Sequence, residues 1–398
     1  MPAKADWTFM VFMAADNDLS SHGDGDLAQM RQVGSSERVN VVVEFDGAGD
    51  QGTQRIRIAK DGVNETVEPI GETDSGNPDV LFNFISWAAE NFPAKRYALI
   101  LWSHGDGWEP AEVDDVVRSA GSLKRAFFRS PLQEKMRESR STERAILSDD
   151  GSGHSLDTIE LDNVLKRAVD TIGQPFDLVG MDACLMSNLE VIYQLRERVR
   201  YFVASEIKAP PEGWPYDAIL GRLVANPDIS SADFARHIVT DYVKWYVDDD
   251  FSDYDVTQAA YDVSQVQNLV NPIDALAGEL ILGLSEDFEG ERQTIWDAQG
   301  KTVEFSENLL RDIGQFCKEL SQTSEDPKIK EAADRVVEAH RAGEGRAIIE
   351  EGRSGSKVKD LCGASLYFPT SEISPYYGDL AFSQNVRWSE MLRTYFDV

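Results

Sequence analysis

The chain has 398 residues, 42% of them hydrophobic and 27% charged, which is the composition of an ordinary globular protein with a large buried core. Its 70 Asp and Glu residues against 39 Lys and Arg residues give a formal net charge of −31, which disfavours nucleic acid and anionic membranes as partners. The charge fits solubility in a salty or crowded cytoplasm, or else an acidic cleft that attracts basic peptides.

The cysteines and the N-terminus indicate a reducing, cytoplasmic location. Cys184, Cys317 and Cys362 are too few and too scattered for a disulfide framework or a zinc knuckle. The first apolar stretch, residues 7–13, is too short for a signal peptide or a membrane helix, and acidic residues lie on both sides of it. We therefore expect a buried first strand.

Six short runs rich in β-branched or aromatic residues alternate with amphipathic stretches along the chain. The runs are residues 7–13, 39–45, 97–102, 176–181, 201–205 and 364–368. They are almost continuously apolar, which indicates strands buried on both faces. Helical spacing of apolar residues from Asp79 to Asn91 and from Leu185 to Arg198 predicts covering helices. The pattern predicts a three-layer α/β/α sandwich with a mainly parallel central sheet.

The pattern also predicts three parts of the chain. Residues 1–222 form an α/β core, residues 223–345 a mainly helical region with one core strand near 257–262, and residues 346–398 a final core strand and a C-terminal helix. The core includes a basic loop, residues 110–147. Its central segment, residues 118–144, has eight Lys and Arg against three Glu and no clean apolar period, so we interpret it as exposed.

Two of the predicted strands end beside reactive residues. His104 and Gly105 follow the strand 97–102, and Cys184 follows the strand 176–181. Because ligands bind at the carboxyl ends of strands in an open parallel sheet, an imidazole and a thiol can face a common substrate here. A single Cys is more often a small core residue and a single His more often a loop residue, but the two together favour a catalytic pair.

Cys184 suits the role of nucleophile at this position. The pKa of a thiol falls at a helix N-terminus or beside a protonated imidazole, and we expect both neighbours here. Gly105 has no side chain to obstruct a substrate, so its N–H and that of Cys184 can form an oxyanion hole. A Cys/His dyad with these donors needs no third catalytic group.

Longer motifs around these residues resemble the clostripain family of cysteine peptidases, in the clan that includes caspases, gingipains and legumains. They are WTFMVFMAADNDL near the start, LILWSHGDGW around His104, MDACLMSNLEVIYQL around Cys184, then YFVASEIKAPPEGWPY and GASLYFP. They occur in the family's order over nearly the whole chain. The resemblance implies a caspase-like fold and a cysteine endopeptidase that cleaves after Arg or Lys.

The resemblance also implies roles for single residues. Cys184 would be the nucleophile, His104 the general acid and base, and Asp182 the acid that binds the basic side chain of the substrate. A second acid of the basic pocket matches Glu212. Residues i and i+2 of an extended segment point the same way, which places Asp182 and Cys184 on one side.

A further substrate contact is expected at Ser205. The strand that ends there is where the substrate backbone would pair as an added strand. We interpret the neighbouring Glu206 as a solvated acid.

Relatives in the family are activated by cleavage between the catalytic His and Cys. The basic segment 118–144 lies in this interval, and we expect self-cleavage after Lys124, Arg125 or Arg129. A passive loop that balances an acidic surface is the alternative. The sequence departs from the family in the enlarged His–Cys separation and in the lack of an export signal, which leaves processing and physiological role open.

The proposed chemistry requires no cofactor. The acidic run 248–255 could bind calcium, which some relatives require, but it lacks the EF-hand spacing and a solvated loop is the simpler interpretation. We expect protein or peptide substrates with exposed Arg or Lys, and neither nucleic acid nor membranes as partners. Two rivals, a scaffold that has lost activity and a hydrolase of small esters or amides, fit less well because His104, Cys184 and Asp182 are all present.

Overall fold

A nine-stranded sheet forms the centre of the computed structural model, which describes residues 4–49, 52–63, 65–108, 146–248, 253–305 and 309–397. Five parallel strands make up its middle, in the order β2-β1-β5-β8-β9. They are β1 (Ala5–Ala15), β2 (Val39–Gly47), β5 (Ala94–Trp102), β8 (Phe176–Asp182) and β9 (Val199–Ala204).

Antiparallel strands extend the sheet at both edges. On the β2 side lie β3 (Thr53–Arg57) and β4 (Thr66–Gly71), and on the β9 side lie β10 (Val256–Asp262) and β13 (Ile348–Ser354). Two smaller sheets complete the strands of the described residues. One pairs β6 (Ile146–Asp149) with β7 (His154–Leu156), and the other joins β11 (Glu304–Phe305), β12 (Leu310–Asp312) and β14 (Ser365–Tyr367).

The helices of the described residues cover both faces of the large sheet. They also form most of the C-terminal half of the chain. They are α1 (Ser20–Val33), α2 (Pro78–Asn91), α3 (Thr158–Ile172), α4 (Leu189–Gln194), α5 (Tyr216–Ala225), α6 (Ser231–Asp248), α7 (Gln267–Glu286), α8 (Phe288–Lys301), α9 (Ile313–Thr323), α10 (Pro327–Ala339), α11 (Ala381–Asn385) and α12 (Trp388–Phe396). Within the described ranges, none of these helices combines the length and apolarity that a membrane crossing would need.

The core lies on both sides of the sheet, which explains why the strands are apolar throughout. Every residue of β1 is buried, and its side chains alternate between two clusters. Phe12 belongs to the cluster covered by α2, α3 and α7, whereas Val11 belongs to the cluster covered by α1, α5 and α6. The predicted three-layer α/β/α sandwich with a mainly parallel centre is therefore confirmed.

Two predicted elements differ from the structure. The helix expected over residues 185–198 covers only Leu189–Gln194, because Leu185 has a left-handed φ of 62° and Asn188 has an extended backbone, and a helix accommodates neither. The run 364–368 was predicted as the final core strand, but it forms β14 in the small three-stranded sheet, and β13 lies at the edge of the large sheet instead. An apolar run indicates burial, not the sheet to which a strand belongs. The division of the chain at residues 222 and 345 stays a prediction.

The segment after Cys184 is bound to β14 and the residues just before it. Ser187 Oγ donates to the carbonyl of Gly363 at 2.6 Å, and the N–H of Ser365 donates to the carbonyl of Ser187 at 2.9 Å. The N–H of Tyr367 donates to Glu190 Oε1 at 3.0 Å. The C-terminal part of the chain thus holds the turn that carries the thiol.

Candidate active site

The ends of β5 and β8 bring His104 and Cys184 to the same edge of the sheet. The two strands are parallel neighbours, and Trp102 near the end of β5 lies opposite Asp182 at the end of β8. Beyond this pair, the N–H of Ser103 donates to the carbonyl of Asp182 at 3.3 Å. The structure therefore brings together the two strand ends that the sequence singled out.

Gly105 lies directly against the backbone of the Cys184 segment. A Cβ atom built on Gly105 would lie 2.5 Å from the carbonyl oxygen of Cys184 and 3.1 Å from Cβ of Ala183. Such distances exclude any side chain, so glycine is required for the two strand ends to approach this closely. The role of the Gly105 and Cys184 N–H groups as an oxyanion hole stays a prediction.

His104 has a carboxylate partner that the sequence did not reveal. Its Nε2 atom lies 2.6 Å from Oδ1 of Asp18, an exposed residue in the loop between β1 and α1. Asn17 fixes this loop, because its amide donates to the carbonyls of Ala14 at 2.9 Å and Ser148 at 3.0 Å. With Nε2 engaged by Asp18, Nδ1 is the ring nitrogen available to exchange a proton with the thiol or the substrate.

Cys184 is partly exposed, and its surroundings favour the protonated form of the thiol. Its Sγ atom donates to the carbonyl of Ala209 at 3.7 Å. Burial raises the pKa of the Cys184 thiol, and the Ala209 contact and the charge of Lys208 offset part of that rise. The expected lowering by a helix N-terminus is wrong, because α4 begins at Leu189, beyond the turn that follows Cys184.

Asp182 is buried on the side of the sheet covered by α1, α5 and α6. Its Oδ2 atom accepts hydrogen bonds from the N–H of Trp214 at 3.1 Å and from the hydroxyl of Tyr216 at 2.9 Å. Burial raises the pKa of Asp182 to about 7, and the Tyr216 hydrogen bond lowers it in part. Burial thus favours the protonated form of this carboxyl group more than water would.

The sequence predicted that Asp182 and Cys184 point to the same side of an extended segment, but Cys184 lies beyond the end of the strand. Strand β8 ends at Asp182, so the alternation of side chains does not extend to Cys184. Cys184 packs against the apolar cluster of the opposite face. The charges of both residues raise the pKa of the same hydroxyl, that of Tyr242.

Two more carboxyl groups lie near Asp182. Asp26 on α1 is buried, accepts a hydrogen bond from Trp102 Nε1 at 2.6 Å, and has a pKa raised by burial and by the charge of Asp182. Glu212 is half-buried, and its Oε2 atom is buried with no hydrogen-bond partner among the described residues. Sequence reasoning included Glu212 through the resemblance, but it missed Asp26, which lies in an ordinary helical pattern.

Ser205 and Glu206 are more buried than expected. Ser205 Oγ lies 3.0 Å from Thr257 Oγ1, and its carbonyl accepts from the N–H of Ser187 at 2.8 Å. Its part in substrate binding stays a prediction, restricted to the backbone. Glu206 was expected to be solvated, but it is 1% exposed and accepts a hydrogen bond from Gly363 N at 2.9 Å, and burial raises its pKa.

The remaining predictions concern self-cleavage and metal binding. Lys124, Arg125 and Arg129 lie outside the described residues, as do residues 249–252 of the acidic run. Within the described part of the chain, no group of three or more His, Cys, Asp or Glu side chains is arranged to hold a metal ion. Calcium dependence and cellular location both stay predictions.

The chain is similar to proteins of a known family. A profile of the clostripain family matches residues 11–121 and 133–395. Clostripain of Hathewaya histolytica is 26% identical over 254 residues, which is 57% of this chain and 44% of that protein, so the match spans less than half the length of this relative.

Solved structures match the fold over almost the whole chain. A secreted C11 cysteine protease from Bacteroides thetaiotaomicron, in complex with an irreversible peptide inhibitor, is 21% identical, with 97% of this chain and 100% of that chain covered and a TM-score of 0.68. An inactive zymogen C11 protease from Parabacteroides distasonis is 18% identical, with 97% and 99% covered and a TM-score of 0.63. The predicted resemblance is confirmed: the chain belongs to the clostripain family of cysteine-type endopeptidases.

Proposed function

We propose that this chain hydrolyses peptide bonds after Arg or Lys, with Cys184 as the nucleophile and His104 as the general acid and base. The observation that carries the proposal is a pair of carboxyls near the end of β8: buried Asp182, and Glu212, whose Oε2 atom has no hydrogen-bond partner among the described residues. In the described residues neither carboxyl forms an ion pair with Lys or Arg. A cationic substrate side chain would supply the missing charge.

The catalytic steps follow from the two strand ends. His104 takes the proton of the Cys184 thiol, and the thiolate attacks the scissile carbonyl carbon. The N–H groups of Gly105 and Cys184 stabilise the oxyanion, and the imidazolium gives its proton to the leaving amine. Water, deprotonated by His104, then attacks the thioester and releases the new carboxyl group and the thiol.

The raised pKa of the thiol bears on when the proton moves. Because burial raises the pKa of Cys184, the protonated thiol is favoured in the free protein. The carboxylate of Asp18, whose Oδ1 atom lies 2.6 Å from Nε2, holds the imidazole ring in place. We infer that proton transfer accompanies substrate binding rather than preceding it.

A cleft beside the thiol offers room for the peptide. It has a volume of about 540 Å³ and is lined in part by Leu185, which follows Cys184 directly, and by Ile207 and Lys208. Tyr254 and Phe305 also line it. A peptide of several residues fits such a cleft, which supports an endopeptidase rather than a hydrolase of small esters.

Self-cleavage after Lys124, Arg125 or Arg129 is part of the proposal. The basic composition of residues 118–144 and the tethering of this segment between His104 and Cys184 support it, since a tethered substrate has a high effective concentration. One structural relative is described as an inactive zymogen. We also propose that the substrates are peptides or proteins with exposed Arg or Lys, and that the location is cytoplasmic.

The test is turnover of fluorogenic peptides that end in Arg, Lys, Asp or Leu by the purified chain and by Cys184→Ala and His104→Ala. We expect cleavage after Arg and Lys, and a loss of at least about 10³-fold in each variant, because the dyad acts as a unit. Gel analysis of the same samples should show fragments only in the active chain. Cleavage after Asp or Leu would contradict the specificity, and a variant with a tenth of the activity would contradict the dyad.

A further inference from the structure

We propose that Tyr242 and Gln258 form the inner end of the basic pocket and make it select arginine over lysine. The inference rests on the proposed function. Tyr242 Oη and both amide atoms of Gln258, Oε1 and Nε2, are buried without a hydrogen-bond partner among the described residues. Each of the two residues is 1% exposed, so the lack of a partner is not relieved by bulk water.

Gln258 points toward the helix that carries Tyr242. On β10, Val256 and Ala260 lie in the same apolar cluster as Tyr242, and Gln258, midway between them, shares their face of the strand. Gly352 is the partner of Gln258 on β13, and a Cβ atom built on Gly352 would lie 2.9 Å from Val243. Helix α6 therefore crosses directly over the Gln258 position.

This pair lies at the same edge of the sheet as Asp182. Ala259, next to Gln258, is the register partner of Ala204, the last residue of β9, and β9 lies beside β8. The chain thus brings Gln258 to the carboxyl ends of the parallel strands. The thiol and the acid of the proposed site lie at these ends.

Electrostatic and hydrogen-bond contacts connect Tyr242 to the pocket. Burial raises the pKa of the Tyr242 hydroxyl, and three neighbouring acidic groups raise it further: those of Asp182, Cys184 and Glu212. Tyr246, whose ring centroid is 4.9 Å from that of Tyr242, donates to the carbonyl of Gly213 at 3.0 Å. A Cβ atom built on Gly213 would lie 3.0 Å from Asp182 Oδ2, so this wall is continuous with the acid.

The unpartnered atoms match a guanidinium better than an ammonium. A buried polar group without a partner destabilises the free protein, which indicates a ligand that completes it. The guanidinium of arginine has five N–H donors in a planar fork, whereas the ammonium of lysine has three on a single nitrogen. Tyr242 Oη and Gln258 Oε1 add two acceptors to the carboxylates of Asp182 and Glu212. The amide nitrogen is a donor that cannot bond a cation, so it requires a water or the Tyr242 oxygen.

The kinetic test compares Tyr242→Phe and Gln258→Leu on Arg and Lys substrates. Each variant should lose about tenfold in kcat/KM on the Arg peptide and less than about twofold on the Lys peptide, because a hydrogen bond to a charged group is lost only with the guanidinium. Tyr97→Phe is the matched control, a buried tyrosine whose hydroxyl oxygen accepts from Ala94 N at 3.1 Å at the opposite end of β5. Its Arg-to-Lys ratio should not change. Equal losses on both substrates, or an unchanged ratio, would overturn the inference.

A binding test separates this inference from the proposed function. In the Cys184→Ala background, agmatine should raise the melting temperature more than cadaverine does, and Tyr242→Phe or Gln258→Leu should abolish that difference. Without ligand, both variants should melt at the same temperature as their parent or higher, since an unpartnered polar group has been removed. A chain that cleaves neither Arg nor Lys peptides but still prefers agmatine would refute the function and keep the pocket. No preference for agmatine would refute the pocket.

Discussion

Asp182 is a carboxyl group whose charge depends on what occupies its surroundings. It is buried, and its pKa is raised to about 7 with Asp26 as an acidic neighbour. Bringing a cation beside it favours the ionised form, so binding of a guanidinium should release a proton. The charge in the pocket is therefore partly created by the ligand.

Ligand binding should accordingly depend on pH near neutrality. A carboxyl group with a raised pKa is neutral below that value and ionised above it. Agmatine should therefore bind Cys184→Ala more tightly as pH rises from about 6 to about 8, with up to about tenfold per pH unit on the acid side of the pKa of Asp182. Isothermal titration at several pH values measures the affinity.

The control is the same titration in the Cys184→Ala, Asp182→Asn double variant, which has no ionisable group at this position. Its affinity should be weak and nearly independent of pH. Because Cys184→Ala removes the thiol from both proteins, titration of the thiol cannot produce the effect. A parent affinity that stays constant across this range would show that Asp182 is already ionised in the free protein.

At the scale of secondary-structure elements, the site depends on how closely two strand ends approach. The ends of β5 and β8 meet at Gly105, where only 2.5 Å separates a built Cβ atom from the carbonyl oxygen of Cys184. A methyl group there must push the two ends apart. Small displacements of reacting groups lower catalytic rates steeply.

Gly105→Ala should consequently lose about 100-fold or more in kcat, because His104 and Cys184 move out of reach of each other. The free energy of unfolding should fall by about 1–3 kcal/mol, as for other overpacked sites. Gly25→Ala on α1 is the matched control, since nothing lies within 4 Å of its built Cβ atom. Stopped assays of activity and thermal melts of both variants test this prediction. An active Gly105→Ala would show that the two strand ends can accommodate a methyl group.

The parallel strands could be predicted from sequence because each is an apolar run, and the ends of β5 and β8 could be predicted because reactive residues follow them closely. The polar edge strands β3 and β4 gave no such signal, and β14 gave an apolar run without any mark of its sheet. Asp18 lies in a loop, where no hydrophobic periodicity indicates which way a side chain points. Gln258 sits in a strand pattern that reads as core, and only the structure reveals that its amide has no partner.

At the scale of the whole molecule, the chain carries a formal net charge of −31. An acidic protein attracts cationic peptides over distances comparable with the Debye length, about 10 Å at 0.1 M salt. Two roles of the acidic surface, solubility and the attraction of basic substrates, make different predictions. Only the attraction of substrates requires the rate of encounter to depend on the charge of the peptide.

Raising salt from about 0.05 M to about 0.5 M should therefore lower kcat/KM for Arg peptides with basic flanking residues by several-fold, mainly through KM. Arg peptides flanked by Glu should show the opposite trend, because screening then removes a repulsion. Initial-rate kinetics on the two peptide series measure the slopes. Parallel slopes for both series would assign the acidic surface to solubility alone.

The turn that carries Cys184 is held by backbone and side-chain groups of Gly363, Ser365 and Tyr367. These residues follow the nucleophile by nearly half the length of the chain. A nascent polypeptide that has emerged only as far as the helices α7 to α10 already contains His104, Cys184 and Asp182 but lacks the strand that fixes the thiol turn. A nascent chain that stops short of residues 363–367 therefore has the proposed catalytic residues without the contacts that hold the Cys184 turn in place.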